Sequence, residues 1–190
     1  MSGLYPNENY IRPPNEAFSV VIRVTKGCPW GRCRFCGVYE ALGVRFERRP
    51  VAEVLADIDR AVELYGPDER HFFFGDADPI GVPAEEFVTI AEHLCRRFPA
   101  KERLTAYGRA ATAWRQRHEL ARLRAAGLDR LHVGLETGDG ALEIALLVGQ
   151  AGEVQAELLD LVLLARDLVL VLLAARGEQH DGREPDNRQR

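Results

Sequence analysis

Three of the four cysteines fall within nine residues, in Cys28-Pro-Trp-Gly-Arg-Cys33-Arg-Phe-Cys36. A disulfide framework spreads its cysteines along a chain, whereas a tight trio on one loop suits a metal or a cluster that accepts several thiolates. Three thiolates can hold three irons of a cubane 4Fe-4S cluster and leave the fourth iron without a protein ligand, as an open reaction site. An electron-transfer cluster or a structural zinc would instead close its shell with a fourth Cys or His. The remaining cysteine, Cys95, lies on an apolar helical stripe and is expected to be a buried core thiol, not the missing ligand. His71, His93, His118, His132 and His180 show no ligand spacing to one another or to the cysteines. Each is expected to be a surface or core histidine.

The elements that must position this loop follow from hydrophobic periodicity. Ser19-Val-Val-Ile-Arg-Val-Thr25 is a β-branched run closed by Lys26 and Gly27, so a strand is predicted to end just before Cys28. Val51, Val54, Leu55, Ile58, Val62 and Tyr65 form a helical stripe that Gly66-Pro67 terminates. His71-Phe-Phe-Phe-Gly75 predicts a second strand, followed by the turn-prone Asp76-Ala77-Asp78-Pro79. A helix after Pro83 carries Phe87, Ile90, Ala91, Leu94, Cys95 and Phe98 on one face. Arg103 to Tyr107 and Asp129 to Gly134 predict two more strands, with a single helix from about Thr112 to Ala126 between them, stopped by Gly127. Strands alternating with helices imply an α/β fold with a parallel sheet. The special sequences all follow strands, and in such folds the loops after the carboxyl ends of strands share one rim where ligands bind.

Cys28-x4-Cys33-x2-Cys36, with Phe35 directly before the last cysteine, resembles the cluster motif of the radical S-adenosylmethionine (SAM) enzymes. The flanking Val24-Thr25-Lys26-Gly27 and Gly37-Val38-Tyr39 resemble a branch related to the coproporphyrinogen-dehydrogenase and Elongator-type radical proteins. The commonest spacing in that superfamily has three residues, not four, between the first two cysteines. The resemblance spans roughly residues 10 to 140 and implies a partial parallel (β/α) barrel. It further implies Cys28, Cys33 and Cys36 as ligands of a 4Fe-4S cluster, with SAM chelating the open iron and reductively cleaved to a 5'-deoxyadenosyl radical that acts on a substrate the motif does not name. The backbone near Phe35 would border the adenine. Asp76-Ala77-Asp78-Pro79 stands where the family has Gly-Gly-Glu-Pro, so Asp76 and Asp78 are expected near the SAM amino group, the alternative being a solvated turn capped by Asp. Gly134-Leu-Glu136-Thr-Gly138 resembles the family's Gly-x-Glu-x-Gly, which places Glu136 near the ribose and methionine. Tyr107 and Arg109 are expected to line the SAM or substrate pocket, with pairing to a surface acid as the alternative for Arg109. The implied partners are SAM, the substrate and an electron donor such as flavodoxin or ferredoxin.

Composition narrows the classes. The 190 residues, 46% hydrophobic and 28% charged, fit one ordinary domain and exclude a disordered chain. A formal net charge of -4 gives no overall field for gripping phosphates, so nucleic acid is not indicated. Met1 to Tyr10 lacks the apolar core of a secretory signal, so a cytoplasmic location is expected. The Leu/Val/Ala run from Leu168 to Ala175 is too short and too interrupted upstream to span a bilayer, so no membrane association is expected. The expected division is an N-terminal segment (1–17), a radical SAM-like domain (18–175) and a polar, disordered tail (176–190). Within the domain the motifs occupy 18–140. No aromatic residue follows Trp114, and residues 141–175, dominated by Leu, Val and Ala, read as divergent or truncated, with a helix near 153–167 and a buried strand or helix at 168–175. An incomplete barrel would leave an exposed sheet edge that invites self-association. Two readings compete with the radical SAM enzyme: a small zinc-binding or electron-transfer module, and a remnant that binds neither cluster nor SAM.

Overall fold

A computed structural model describes residues 3–33 and 35–134. Four strands, β1 (Val20–Arg23), β4 (His71–Gly75), β5 (Arg103–Gly108) and β6 (Arg130–Val133), form an all-parallel sheet in the order β1-β4-β5-β6. Two short strands, β2 (Thr25–Lys26) and β3 (Glu47–Arg48), make a separate antiparallel clasp that closes the loop carrying the cysteines. A one-turn helix α1 (Val38–Ala41) lies inside that loop. The crossovers are α2 (Val51–Tyr65), α3 (Ala84–Arg97), and α4 (Ala110–Arg115) with α5 (Leu120–Ala125). Each parallel neighbour therefore follows its predecessor through helix, and the architecture is the α/β class expected from the sequence, a partial β/α barrel.

Strand alternation divides the sheet into two faces. Ile22, Phe72, Phe74, Leu104 and Ala106 point toward the helices and are buried against Val54, Ile58, Phe87, Ile90 and Leu94. Phe72 packs on Phe98 in a tilted pair at 4.5 Å between centroids, and Phe74 meets Phe87 edge-on at 5.4 Å. Each such ring contributes about 1.5–3 kcal/mol by leaving water. Val21, Arg23, Phe73, Thr105, Tyr107 and His132 occupy the opposite, inner face, where Phe73, Tyr107 and His132 touch one another.

Three sequence expectations are corrected. The first strand is not continuous to Thr25: Val24 is a junction whose N–H donates to Gly75 O (3.0 Å), and the chain then turns away into the β2–β3 clasp. The single helix expected from Thr112 to Ala126 is two, because Gln116, with φ −96° and ψ 13°, leaves the helical track and donates Nε2 to Ile80 O (2.6 Å) and Val82 O (3.0 Å). Cys95 is half-buried, not a core thiol. Its Sγ faces Ala126 O at 3.6 Å, and burial pushes the thiol up. Because α3 runs antiparallel to the strands, Cys95 lies near the amino ends of β5 and β6, away from the rim that carries the other three cysteines.

The N-terminal segment lines the edge of β1 that has no neighbouring strand among the described residues. Arg23 N donates to the Tyr5 hydroxyl (3.0 Å), which itself donates to Asp57 on α2 (2.7 Å). Arg49 Nη1 binds Arg23 O (2.8 Å) and Asp57 (2.5 Å). Side chains thus supply the partners a neighbouring strand would have given. Farther on, the 3-10 turn Pro14–Glu16 inserts Glu16, fully buried, beneath the inner face, where it accepts from Ser19 and Arg130 and lies 3.5 Å from His132 Nε2 and 3.9 Å from Arg103. Burial alone would raise the Glu16 carboxyl, but the hydrogen bonds from Ser19, Arg130 and Thr105 hold it below the ordinary carboxylate range. The other sheet edge, beyond β6, and the expected helix at 153–167 and tail at 176–190 lie outside the described residues.

Candidate functional site

The loop of cysteines starts at Gly27, whose φ of +68° suits a residue without Cβ. An added Cβ there would meet Arg45 O at 2.8 Å, so the two arms of the loop touch backbone to backbone at its root. Asp76 fastens the same point from the second strand end: its Oδ2 accepts from Gly27 N (3.0 Å) and from Arg23 Nη2 (2.5 Å). Asp76 is 0% exposed and Arg23 1%. Burial raises the Asp76 carboxyl above its ordinary value in spite of Arg23 and the Gly27 amide. Removing either charge would leave the other buried and unpaired, at a cost of about 3–5 kcal/mol.

Asp78 is equally buried, and its carboxylate turns toward the third strand end. Oδ1 accepts from Arg109 N (3.1 Å) and Oδ2 from Thr112 Oγ1 (2.6 Å). Arg109 precedes the first residue of α4 and brings no side-chain cap of its own. Asp78 therefore ties the N-cap amide of α4 and the hydroxyl of its third residue from a distant loop, the part that the N3 acid of a capping box plays from within a helix. Burial raises its carboxyl as well, against Thr112 and the Arg109 amide. Neither acid belongs to a solvated turn, so that alternative is overturned.

Arg109 also reaches back to the cysteine loop. Its guanidinium carbon lies 5.4 Å from the Trp30 ring centroid, and Arg32 stacks on the same ring at 5.6 Å. The first three rim segments thus converge: Thr25, Pro29, Asp78 and Arg109 line one cavity of ≈ 100 Å³. That is smaller than the roughly 300 Å³ at which small-molecule pockets begin. Tyr107 points to the inner face, edge-on to Phe73 at 5.0 Å, with its phenol raised by burial and by Glu16. Phe35 is 56% exposed on the loop. Glu136 and Arg34 lie outside the described residues.

Cys28 and Cys33 are half-buried and Cys36 is exposed; none is in a disulfide. Cys36 N donates to Cys33 O (3.1 Å), a turn that holds these two residues together. Among the described residues no group of three His, Cys, Asp or Glu side chains is gathered into a metal site. The donor chemistry nonetheless fits a cluster, since three thiols share one loop closed by a clasp. The surroundings fit a polar ligand too: at the mouth, Thr25 Oγ1, Tyr39 OH and Asp76 Oδ1 are buried without a hydrogen-bond partner. Such atoms are few in native proteins and call for a physical explanation.

The sequence reading missed three of these features. Arg23 is visible as the one charge in an otherwise apolar strand, a signal that an acid must face it. Gly27 is visible as a strand terminator, though not as the contact between the loop's arms. Tyr39 carries no local signal beyond its place three residues after Cys36.

No helix among the described residues is long and apolar enough to cross a membrane. No curated protein and no solved structure matches the chain. The family profile described as the Radical SAM superfamily matches residues 22–173, well over half of the chain, from β1 past the four rim segments. The chain is a member of the radical SAM superfamily.

Proposed function

We propose that Cys28, Cys33 and Cys36 bind a 4Fe-4S cluster whose fourth iron takes S-adenosylmethionine. When bound, cluster and SAM supply reductive cleavage to methionine and a 5'-deoxyadenosyl radical, which abstracts a substrate hydrogen. The observation that carries this reading is the rooting of the thiol loop, through Gly27 and Asp76, at the carboxyl ends of a parallel sheet. A loop so anchored holds its thiols over the inner face instead of letting them swing in solvent.

The chain's own residues divide the work. Arg23 and Asp76 hold the loop's root, and Arg109 grips Trp30 within it. Asp78 fixes the start of α4 and so the position of Arg109. Phe35, Tyr107 and Glu136 border the cofactor and substrate, Asp76 through its open Oδ1 and Asp78 through the lone pairs that Arg109 and Thr112 leave. The x4 spacing and the flanking Gly37-Val38-Tyr39 support the coproporphyrinogen-dehydrogenase and Elongator-type branch. Reduction by a flavodoxin or ferredoxin in the cytosol completes the reading.

Anaerobic reconstitution with iron and sulfide tests it. A brown protein is expected, with a cluster spectrum perturbed by SAM and release of 5'-deoxyadenosine on adding dithionite. Stoichiometric zinc, or a cluster indifferent to SAM, would overturn it.

A further inference from the structure

Tyr39 is the third residue after Cys36 and the second of α1. Its hydroxyl is buried and has no hydrogen-bond partner. Leaving such a group unsatisfied carries the full penalty of its lost hydration, so a partner is expected in the working state. Asp76, Cys28, Arg23 and Tyr107 are the titratable groups near enough to act on it electrostatically. Burial, reinforced by the charges of Asp76 and Cys28, pushes its phenol far above the ordinary value, so it remains a neutral donor. Asp76 Oδ2 already accepts from Arg23 and the Gly27 amide, the Ile11 amide also serves the carboxylate, and Oδ1 makes no hydrogen bond with Tyr39. Arg23 is itself shared between Asp76 and Glu8 (2.7 Å) and is a donor only. Cys28, once ionised as a ligand, is the group that brings new negative charge to this corner.

We propose that Tyr39 is a positioning residue of the cluster loop, its hydroxyl donating a hydrogen bond to Cys28 Sγ when that sulfur is a metal-bound thiolate. This rests on the proposed cluster ligation. A hydrogen bond to a ligating sulfur stabilises the more negative, reduced state of a cluster and is one of the determinants of its potential. It would also fix the direction of the Cys28 side chain.

Tyr39→Phe tests the assignment, with two readouts. In the cluster-free full chain the variant removes an unpartnered polar atom without changing the ring, so its melting temperature is expected to equal or exceed the wild type's. A lowered melting temperature would mean that the hydroxyl is bonded inside the apo fold, to Asp76 for instance, and overturns the proposal. After anaerobic reconstitution, an EPR-monitored redox titration should show the variant's midpoint displaced to more negative potential. The expected reduced-to-oxidised ratio at fixed poise falls about tenfold, which is about 59 mV for a one-electron couple. An unchanged midpoint in a fully loaded variant overturns the donor role while leaving the cluster reading intact. A variant that keeps its apo stability but loads less iron than wild type counts for the role. Wild-type chain that takes up no iron at all sinks the functional reading first, and the donor role with it.

Discussion

The inner face of the sheet carries polar groups at both ends, and they are used in opposite ways. At the amino ends of β5 and β6, Glu16 is surrounded by donors: Ser19, Arg130, and near it Arg103 and His132. Its carboxyl is held below the ordinary range. At the carboxyl ends, Asp76 and Asp78 are raised by burial, and Thr25, Tyr39 and Asp76 keep open hydrogen-bonding atoms. The lower end does have open atoms of its own, Arg103 Nε and His132 Nε2, but both belong to side chains that flank the Glu16 carboxylate. One end is a plug in which charge finds its partner within the chain. The other is under-satisfied beside a loop of thiols, as expected where a ligand completes the structure.

If that contrast is right, substitutions at the two ends separate stability from metal uptake. The largest effect is at the thiols: alanine at Cys28, Cys33 or Cys36 should abolish stable cluster binding, read as iron and sulfide per chain after reconstitution, with little change in the melting temperature of the apo chain. Cys95→Ala should load as wild type, since Cys95 faces Ala126 at the far end of the sheet. Equal loss of iron from Cys95→Ala would erase the distinction between the ends.

Glu16→Ala is the converse. It strips the acceptor from a half-buried Arg130 and should cost about 2–3 kcal/mol in urea unfolding, while iron per folded chain stays unchanged. The pH dependence sharpens this. A carboxyl held lower in the folded than in the unfolded chain contributes stability that is present above its ordinary value of about 4.5 and is lost as pH falls through the folded value. His132, held below its ordinary value of about 6.5 by burial and by Arg130, acts in the same direction but begins to lose stability nearer neutrality. Asp76 and Asp78 have the opposite sign: their contribution is present below the ordinary range and lost as pH rises through the raised values. Glu16→Gln should therefore flatten the acid limb of the stability profile. An unaltered limb would show that Glu16 is not the group that titrates there.

Between the ends, Gly27→Ala probes the hinge of the loop. The positive φ alone should cost about 1–2 kcal/mol, and the contact with Arg45 O forces the two arms apart. Reduced iron uptake is expected together with the stability loss, because the root positions all three thiols. A variant that loses stability yet loads fully would show that loop closure and ligation are independent.

Much of this arrangement is legible in the sequence, and what is not has a common cause. The strand His71-Phe-Phe-Phe-Gly75 is legible because a short apolar run between turn residues has few alternatives, and the cysteine loop because its spacing is local. Asp76 and Asp78 are legible as positions after a strand, but not as ties: the partners that bury them, Arg23 and Thr112, stand far away in sequence. The break at Gln116 is invisible to periodicity, since the helical pattern continues through it and only the carbonyls of Ile80 and Val82 draw its side chain aside. Glu16 is the extreme case, an acid in a segment without a pattern whose partner Arg130 lies 114 residues on.

The smallest effect lies in the bridge between Arg109 and Trp30. A half-buried cation–π contact of this kind is worth about 1 kcal/mol, too little to unfold the domain. Arg109→Ala should leave the melting temperature within a few degrees of wild type, because Asp78 holds the backbone N–H of residue 109 and not its side chain. The loop, however, loses a grip from the third strand end. Trp30 should become more accessible to acrylamide quenching, measured in a Trp114→Phe background, and cluster uptake should slow. Lys at this position should recover part of both effects, since an ammonium still attracts the ring face but lacks the flat stacking surface of the guanidinium. Unchanged quenching in Arg109→Ala would mean that Arg32, on the same ring, suffices to hold Trp30, and the loop's order would then come from its root at Gly27 and Asp76 alone.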